Sequence, residues 1–234
     1  MSEGQIIITG ASKGIGAAIA IELEKRGYRV ICVSRSGEAP AGKGMACDMG
    51  DEAAVVQLIS DVGRDAPILG LVNNAGLHID SPSDTLKSAQ YQRIMQVNAT
   101  AVMIASREAF RYLKQSQGKI VNIGSFFDKL GVPNNLAYCA SKAAIAAMTR
   151  CLAVEWAPYG ITAINIAPGY IKTDLNKEFL ARESVCQWLA KRVPVRRPGH
   201  AAEVARLVGA VFSEDIGFLT GETIYLDGGQ GMNH

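Results

Sequence analysis

Gln5-Ile6-Ile7-Ile8-Thr9-Gly10-Ala11-Ser12-Lys13-Gly14-Ile15-Gly16 decides the fold of this chain. The run from Gln5 to Ile8 is apolar and β-branched, the composition of a parallel strand buried on both faces. It passes straight into a glycine-rich turn, Thr9 to Gly16. A helical pattern follows as far as Arg26, and Gly27 ends it. Strand, glycine turn and helix in that order make a phosphate cradle. Glycines let the backbone approach a pyrophosphate, and free N–H groups at the helix start attract its charge. The spacing T-G-x-x-x-G-x-G differs from G-x-G-x-x-G, so position carries the reading: first strand, first helix, then a second strand. A dinucleotide is the expected ligand, held by Gly10, Ser12, Lys13, Gly14, Ile15 and Gly16.

The pattern repeats outward from there. Tyr28 to Val33 reads as the second strand, followed by Ser34-Arg35-Ser36. An acid near this point would bind the ribose 2′-hydroxyl of NAD, whereas an arginine accommodates a 2′-phosphate. No acid occurs before Glu38, and Lys13 adds a second positive charge. NADP(H) is therefore the expected cofactor and NAD(H) the alternative. Gly42 to Cys47 reads as a third strand with Asp48 at its end, Asp51 to Val62 as a helix, and Ile68 to Val72 as a fourth strand. Asn73-Asn74-Ala75-Gly76 follows at a carboxyl end, where open α/β sheets bind ligands. Asn98 lies inside a helical stretch, Tyr91 to Leu113, where an amide side chain can free a backbone carbonyl. Lys119 to Ile123, Ile161 to Ile166 and Thr223 to Leu226 complete seven strands. The second of these runs into Ala167-Pro168-Gly169-Tyr170-Ile171-Lys172-Thr173, and the last is closed by Asp227-Gly228-Gly229. The fold class is α/β: a doubly wound, Rossmann-type seven-stranded parallel sheet with helices on both faces. No linker or internal repeat divides residues 1–234, so a single domain is expected.

Composition bounds the function. The 234 residues fit one α/β domain, since such sheets run to about 250 residues undivided. A net charge of +2 is too small to suggest nucleic-acid binding. Five cysteines without a Cys-x-x-Cys fit a reducing compartment and point to neither zinc nor a disulfide framework. No apolar run approaches the roughly 20 residues that span a bilayer, and no signal peptide precedes the first strand. A soluble, cytoplasmic protein with no membrane partner and no metal is expected.

Tyr138-Cys139-Ala140-Ser141-Lys142 opens an alanine-rich helical segment running to Ala157. Four residues are about one helical turn, which puts Tyr138 and Lys142 on one face. A phenol, with a pKa near 10, is a poor acid or base at neutrality, and a nearby ammonium favours the phenolate. The pair is expected to exchange a proton with an alcohol or carbonyl oxygen. Ser125 falls just past the fifth strand, on the same rim as Asn74 and the glycine turn. No Gly-x-Ser-x-Gly elbow surrounds it, which argues against a hydrolase nucleophile. Its hydroxyl suits donation to a substrate oxygen.

Together these motifs make the chain resemble the short-chain dehydrogenase/reductases, over the whole span from Thr9-Gly10 to Gly228-Gly229. The resemblance implies that Tyr138 is the acid/base, that Lys142 lowers its pKa and holds the nicotinamide ribose, and that Ser125 orients the substrate oxygen. It implies that Asn98 positions a water leading protons to Lys142, that Asp48 meets the adenine, and that Asn74, Ala75 and Gly76 line the cofactor cleft. Ile171 and Thr173, beyond Pro168-Gly169, would bind the carboxamide. A homotetramer is also implied, with the faces of 101–113 and 143–153 packed between subunits.

Substrate identity is less determined. Residues 174–198 correspond to the lid of such enzymes and carry Leu175, Phe179, Leu180, Trp188 and Leu189, apolar enough to cover a hydrophobic ligand. Phe126 and Phe127 are expected to wall the pocket. Lys177, Arg182, Lys191, Arg192, Arg196 and Arg197 make the lid basic, a feature that would suit an acyl thioester. Carrier-protein reductases of this kind often have a basic residue just before the Gly-Ile-Thr of strand six, where this chain has Tyr159. Three functions follow: an NADP-dependent reductase of a small to medium apolar ketone, or dehydrogenase of the matching secondary alcohol; a 3-oxoacyl-thioester reductase; and a non-catalytic dinucleotide sensor, which would be expected to lack the Ser, Tyr or Lys.

Overall fold

Ile6, Ile7 and Ile8 are fully shielded from solvent, yet they belong to two different cores. Alternate residues of a strand face opposite sides of a sheet, and here both sides are covered. In the computed structural model, which describes residues 4–174 and 176–232 but not the side chains of Lys177 and Phe179, β1 (Gln5–Thr9) sits inside a seven-stranded sheet. α1 (Gly14–Lys25) leads to β2 (Arg29–Ser34) and β3 (Lys43–Ala46). α2 (Glu52–Asp65) then returns the chain to β4 (Ile68–Asn73) on the other flank of β1. α3 (Ser88–Met95) and α4 (Ala101–Ser116) precede β5 (Lys119–Ile123), and α5 (Leu136–Trp156) precedes β6 (Thr162–Pro168).

A short ladder, β7 (Ile171–Lys172) with β8 (Gly199–His200), brackets a lid containing α6 (Lys177–Leu180) and α7 (Glu183–Arg192). α8 (Ala201–Ser213) and β9 (Thr223–Leu226) follow. The sheet order is β3-β2-β1-β4-β5-β6-β9, every pairing parallel. The winding direction reverses between β1 and β4, which opens a crevice at their carboxyl ends.

Ile19, Ala20 and Leu23 of α1 and Val204, Val208 and Phe212 of α8 cover one face. Val55, Ile59 and Val62 of α2 and Ile104, Ala105 and Leu113 of α4 cover the other. Burying each of these larger side chains contributes about 1.5–3 kcal/mol. Asp51 caps α2, its carboxylate accepting from Ala54 N at 3.2 Å. Three core amides align in register: Asn73, Asn122 and Asn165 are neighbours across β4, β5 and β6. Asn73 Nδ2 donates to Asn122 Oδ1 at 2.8 Å, Asn122 Nδ2 to Thr149 Oγ1 at 2.9 Å, and Asn165 Nδ2 to Thr223 Oγ1 at 3.1 Å.

The structure differs from the sequence expectation in two places. The helix expected over 91–113 is a longer rod, α3 and α4, joined by a π-helical turn, Gln96–Thr100, that holds Asn98. The β7–β8 ladder was not foreseen, because two-residue strands carry no periodicity. Leu175 and the side chains of Lys177 and Phe179, all in the lid, lie outside what is described.

Candidate active site

The carboxyl ends of the strands enclose a cleft of about 520 Å³. Every residue expected at the site lines it except Gly16 and Asn98, which stand behind its wall. Gly10 (φ +67°) and Gly14 (φ +62°) take left-handed conformations that glycine adopts without strain. A Cβ on Gly10 would sit 2.8 Å from Ala75 Cα, and one on Gly16 would sit 2.4 Å from the Gly10 oxygen. The turn is laced to the end of β4. Asn74 Nδ2 donates to the Thr9 and Gly10 oxygens at 2.9 and 3.0 Å, while Thr9 Oγ1 accepts from Asn74 N and Ala75 N, both at 3.0 Å. No side chain caps the start of α1 and its first turn holds no acid, so its leading N–H groups face the cleft without a carboxylate competing for them. A pyrophosphate fits such a cradle on both shape and charge.

At the far end of the cleft Ser34 is buried and its hydroxyl accepts from Gly37 N at 3.1 Å. Arg35 and Lys13 are exposed, and among the described residues neither forms an ion pair. Asp48 accepts from Gly50 N at 2.8 Å and lies 3.6 Å from Arg93 Nη2. Arg93 also lines the cleft, and sequence reading missed it: a surface arginine on α3 gives no local sign of facing Asp48, 45 residues earlier in the chain.

α5 carries Tyr138 and Lys142 one turn apart. Lys142 is buried, its Nζ donating to the Ile123 oxygen at 2.9 Å and standing 5.6 Å from the centre of the Tyr138 ring. Ser125 lines the same cleft as Tyr138, its hydroxyl accepting from Phe127 N at 3.3 Å. Asn98 is fully buried; its Nδ2 donates to the Leu77 oxygen (2.9 Å) and to Ser141 Oγ (3.0 Å), and its Oδ1 accepts from Leu77 N (2.7 Å). Ser141 Oγ in turn donates to the Tyr138 backbone carbonyl at 2.7 Å. The π-turn thus ties the β4 exit loop to the helix bearing Tyr138, in keeping with the frequent placement of π-turns at functional sites.

One electrostatic expectation is corrected. Lys142 was expected to lower the Tyr138 pKa. Instead burial pushes the phenol up to about 12, the nearby Ser125 hydroxyl drawing it partly back. Burial also brings the Lys142 ammonium down to about 8. Desolvation penalises both charged forms, and it is the leading cause of each shift.

Aromatic rings wall the cleft. Phe127 meets Tyr138 edge-on at 5.9 Å, Phe126 meets Tyr170 at 5.4 Å, and Tyr170 meets Trp188 of α7 at 5.3 Å. Beyond Tyr170 an apolar hollow of about 330 Å³ lies against Leu180, Val185 and Trp188. His78 is a further cleft residue the sequence did not flag, its ring 4.5 Å from that of Tyr138. Asn176 is another, binding the Thr173 backbone N–H at 2.8 Å and the Ile171 oxygen at 2.9 Å.

Sheet order, glycine cradle and rim define the class: a doubly wound α/β protein built to hold a dinucleotide. Comparison with known proteins agrees. The family described as enoyl-(acyl carrier protein) reductase matches residues 10–231. The chain is 34% identical to the 3-oxoacyl-(acyl-carrier-protein) reductase MabA of Mycobacterium tuberculosis, over 98% of this chain and 93% of that one. It is 32% identical to the glucose 1-dehydrogenase of Gluconobacter oxydans, over 96% and 91%. The solved structure of ElxO with NADP bound superposes with a TM-score of 0.90 at 26% identity, covering 98% of this chain and 99% of that one. The chain belongs to the short-chain dehydrogenase/reductase family, whose members bind nicotinamide dinucleotides, and is an oxidoreductase of that type.

Proposed function

We propose that the protein is an NADP(H)-dependent reductase interconverting a ketone and a secondary alcohol on a small to medium apolar substrate. The observation that carries this reading is that the Ser125 and Tyr138 hydroxyls face the same aromatic-walled cleft, with Lys142 buried one turn behind. Two hydroxyls converging on one point suit a carbonyl oxygen, where negative charge develops on reduction. The bound nicotinamide supplies the hydride chemistry. Tyr138 gives its proton to the substrate oxygen and Ser125 holds that oxygen in place. Lys142, with a pKa of about 8, is poised to pass a proton to the phenol near neutrality. Gly10, Ser12, Gly14, Ile15 and Gly16 cradle the pyrophosphate, Asp48 meets the adenine, and Asn74, Ala75, Gly76, Pro168, Gly169, Ile171 and Thr173 flank the nicotinamide half.

The preference for NADP(H) over NAD(H) rests on Ser34, Arg35 and Lys13 at the ribose end. Charge-assisted bonds to a phosphate contribute about 1.5–3 kcal/mol. Arg35→Ala is therefore expected to weaken NADPH binding by roughly 10- to 150-fold and NADH binding far less. Wild type favouring NADH by about tenfold would overturn the assignment.

A second reading, reduction of a 3-oxoacyl thioester, is favoured by the reductase activity for which MabA is named and by charge. The Lys114 ammonium lies 4.3 Å over the Tyr159 ring, restoring a cation where the sequence has none. Arg197, by contrast, is engaged by Glu203 through two bonds of 2.9 Å. The deciding measurement is nicotinamide consumption with cyclohexanone, ethyl acetoacetate and acetoacetyl-CoA, with Tyr138→Phe as the control. Turnover of the free ketone or ester supports the first reading, turnover of the thioester alone the second. Tyr138→Phe is expected to remove activity with NADPH affinity intact, and retained activity would remove Tyr138 as the acid.

A further inference from the structure

Tyr138 has a neighbour that the mechanism above leaves unused. His78 stands on the loop leaving β4, two residues beyond Gly76. Its imidazole lies against the phenol ring, centroids 4.5 Å apart and planes at 47°. Its Nε2 makes a short hydrogen bond with Asn135 Oδ1 and lies 3.1 Å from Asp80 Oδ1. Two acceptor oxygens facing one ring nitrogen assign the proton to Nε2.

The two bonds differ in worth. Asp80 is exposed, where ion pairs contribute about 0–1 kcal/mol. Asn135 is 8% exposed and sheltered from competing water. Asn135 is also the residue immediately before α5, and Tyr138 is in the first turn of that helix. The same two loops are joined again where Ser81 N donates to the Asn134 oxygen at 2.8 Å. His78 therefore grips the tyrosine twice, through its ring and through the start of its helix.

We infer that His78 is a positioning residue for Tyr138: it fixes the phenol by packing on the ring and anchoring to Asn135. The inference rests on the reading of Tyr138 as the proton donor. Misplacing a reacting group by about 1 Å can cost on the order of 100-fold in rate.

The test uses the full chain with three variants. His78→Phe keeps the ring contact, His78→Gln keeps a donor for Asn135, and His78→Ala loses both. With NADPH and ethyl acetoacetate, His78→Ala is expected to lower kcat by roughly 10- to 100-fold. NADPH affinity should stay within about twofold, and each of the other variants should recover part of the rate. Unchanged kcat in His78→Ala, or a matching loss of NADPH affinity, would overturn the inference. A second arm needs no substrate. In protein labelled with carbon-13 in its tyrosine rings, the Tyr138 signal is identified by its loss in Tyr138→Phe. It should show no exchange broadening in wild type and measurable relaxation dispersion in His78→Ala. Identical dispersion in the two proteins would overturn the inference even if the kinetics agreed. Should wild type turn over neither cyclohexanone nor the ester, the functional reading falls while the spectroscopic arm still decides the role of His78.

Discussion

Lys142 couples the chemistry to stability in a way that one titration can read. Its ammonium has a pKa of about 8 in the folded protein against a reference of 10.5. Between those values the unfolded chain binds more protons than the folded one, so stability rises with pH across that window. Below it both states are protonated and the burial cost is fully present, on the order of 3 kcal/mol for a shift of this size. Tyr138 has the opposite sign: its folded pKa of about 12 exceeds its reference of 10, so its contribution is lost as pH rises between the two. The urea midpoint of wild type should therefore climb from about pH 8 towards pH 10 relative to Lys142→Met, in which the lysine's linkage is gone. Parallel pH profiles for the two proteins would show that Lys142 is not desolvated as described. Sequence made the identity of this pair legible, because one helical turn separates the residues. It could not show the direction of the shifts, since burial depends on what packs over the helix. His78 escaped for the same reason: its relation to Tyr138 spans 60 residues and exists only in space.

Among the elements, the glycine turn is the most legible and the most brittle. Its strand, its glycines and its helix are contiguous, so local pattern suffices to find it. A Cβ on Gly16 would meet the Gly10 oxygen at 2.4 Å and Asn74 Nδ2 at 2.5 Å. Both atoms belong to the lacing between the turn and β4, so neither can yield without loosening the cradle. Gly16→Ala should cost about 1–3 kcal/mol in stability. It should also weaken NADPH binding by about tenfold or more, measured by fluorescence titration. Gly131→Ala is the control: nothing lies within 4 Å of its added Cβ, and the change should be within about 0.5 kcal/mol. Equal effects at the two positions would mean that the close approach at Gly16 is relieved at no cost. The π-turn of 96–100 lies at the other extreme of legibility. It holds Asn98, which bonds Leu77, 21 residues away, and nothing in its own five residues announces it.

At the scale of the whole molecule, the fold class and the order of elements were readable from strand–helix alternation, while the lid was readable only as a region. The expected homotetramer also belongs here. Most apolar residues of 101–113 face inward, with Ile104, Ala105 and Leu113 buried under the sheet, so this helix offers a partner little beyond Met103. α5 is different. Ala143, Ala147, Cys151 and Val154 lie exposed along it, with Val154 at 78%. If α5 packs between subunits, light scattering at micromolar protein should give four chains per particle, and Ala147→Arg should reduce that number. A single chain across the range would remove the assembly.

The row of asparagines across the middle of the sheet bears on how the chain reaches this state. Asn73 bonds Asn122, Asn122 bonds Thr149 and Asn165 bonds Thr223 where β4, β5 and β6 meet in the observed alignment. A slip of one residue during collapse would turn the amides to the opposite face of each strand. There each would stand among isoleucines and valines without a partner, at a penalty of about 1–3 kcal/mol apiece. Purely aliphatic strands would tolerate such mispairing far better. The row therefore acts as a registration key: it disfavours trapped, misaligned intermediates and steers folding toward the one alignment that brings Asn73, Ser125 and Pro168 to a common rim.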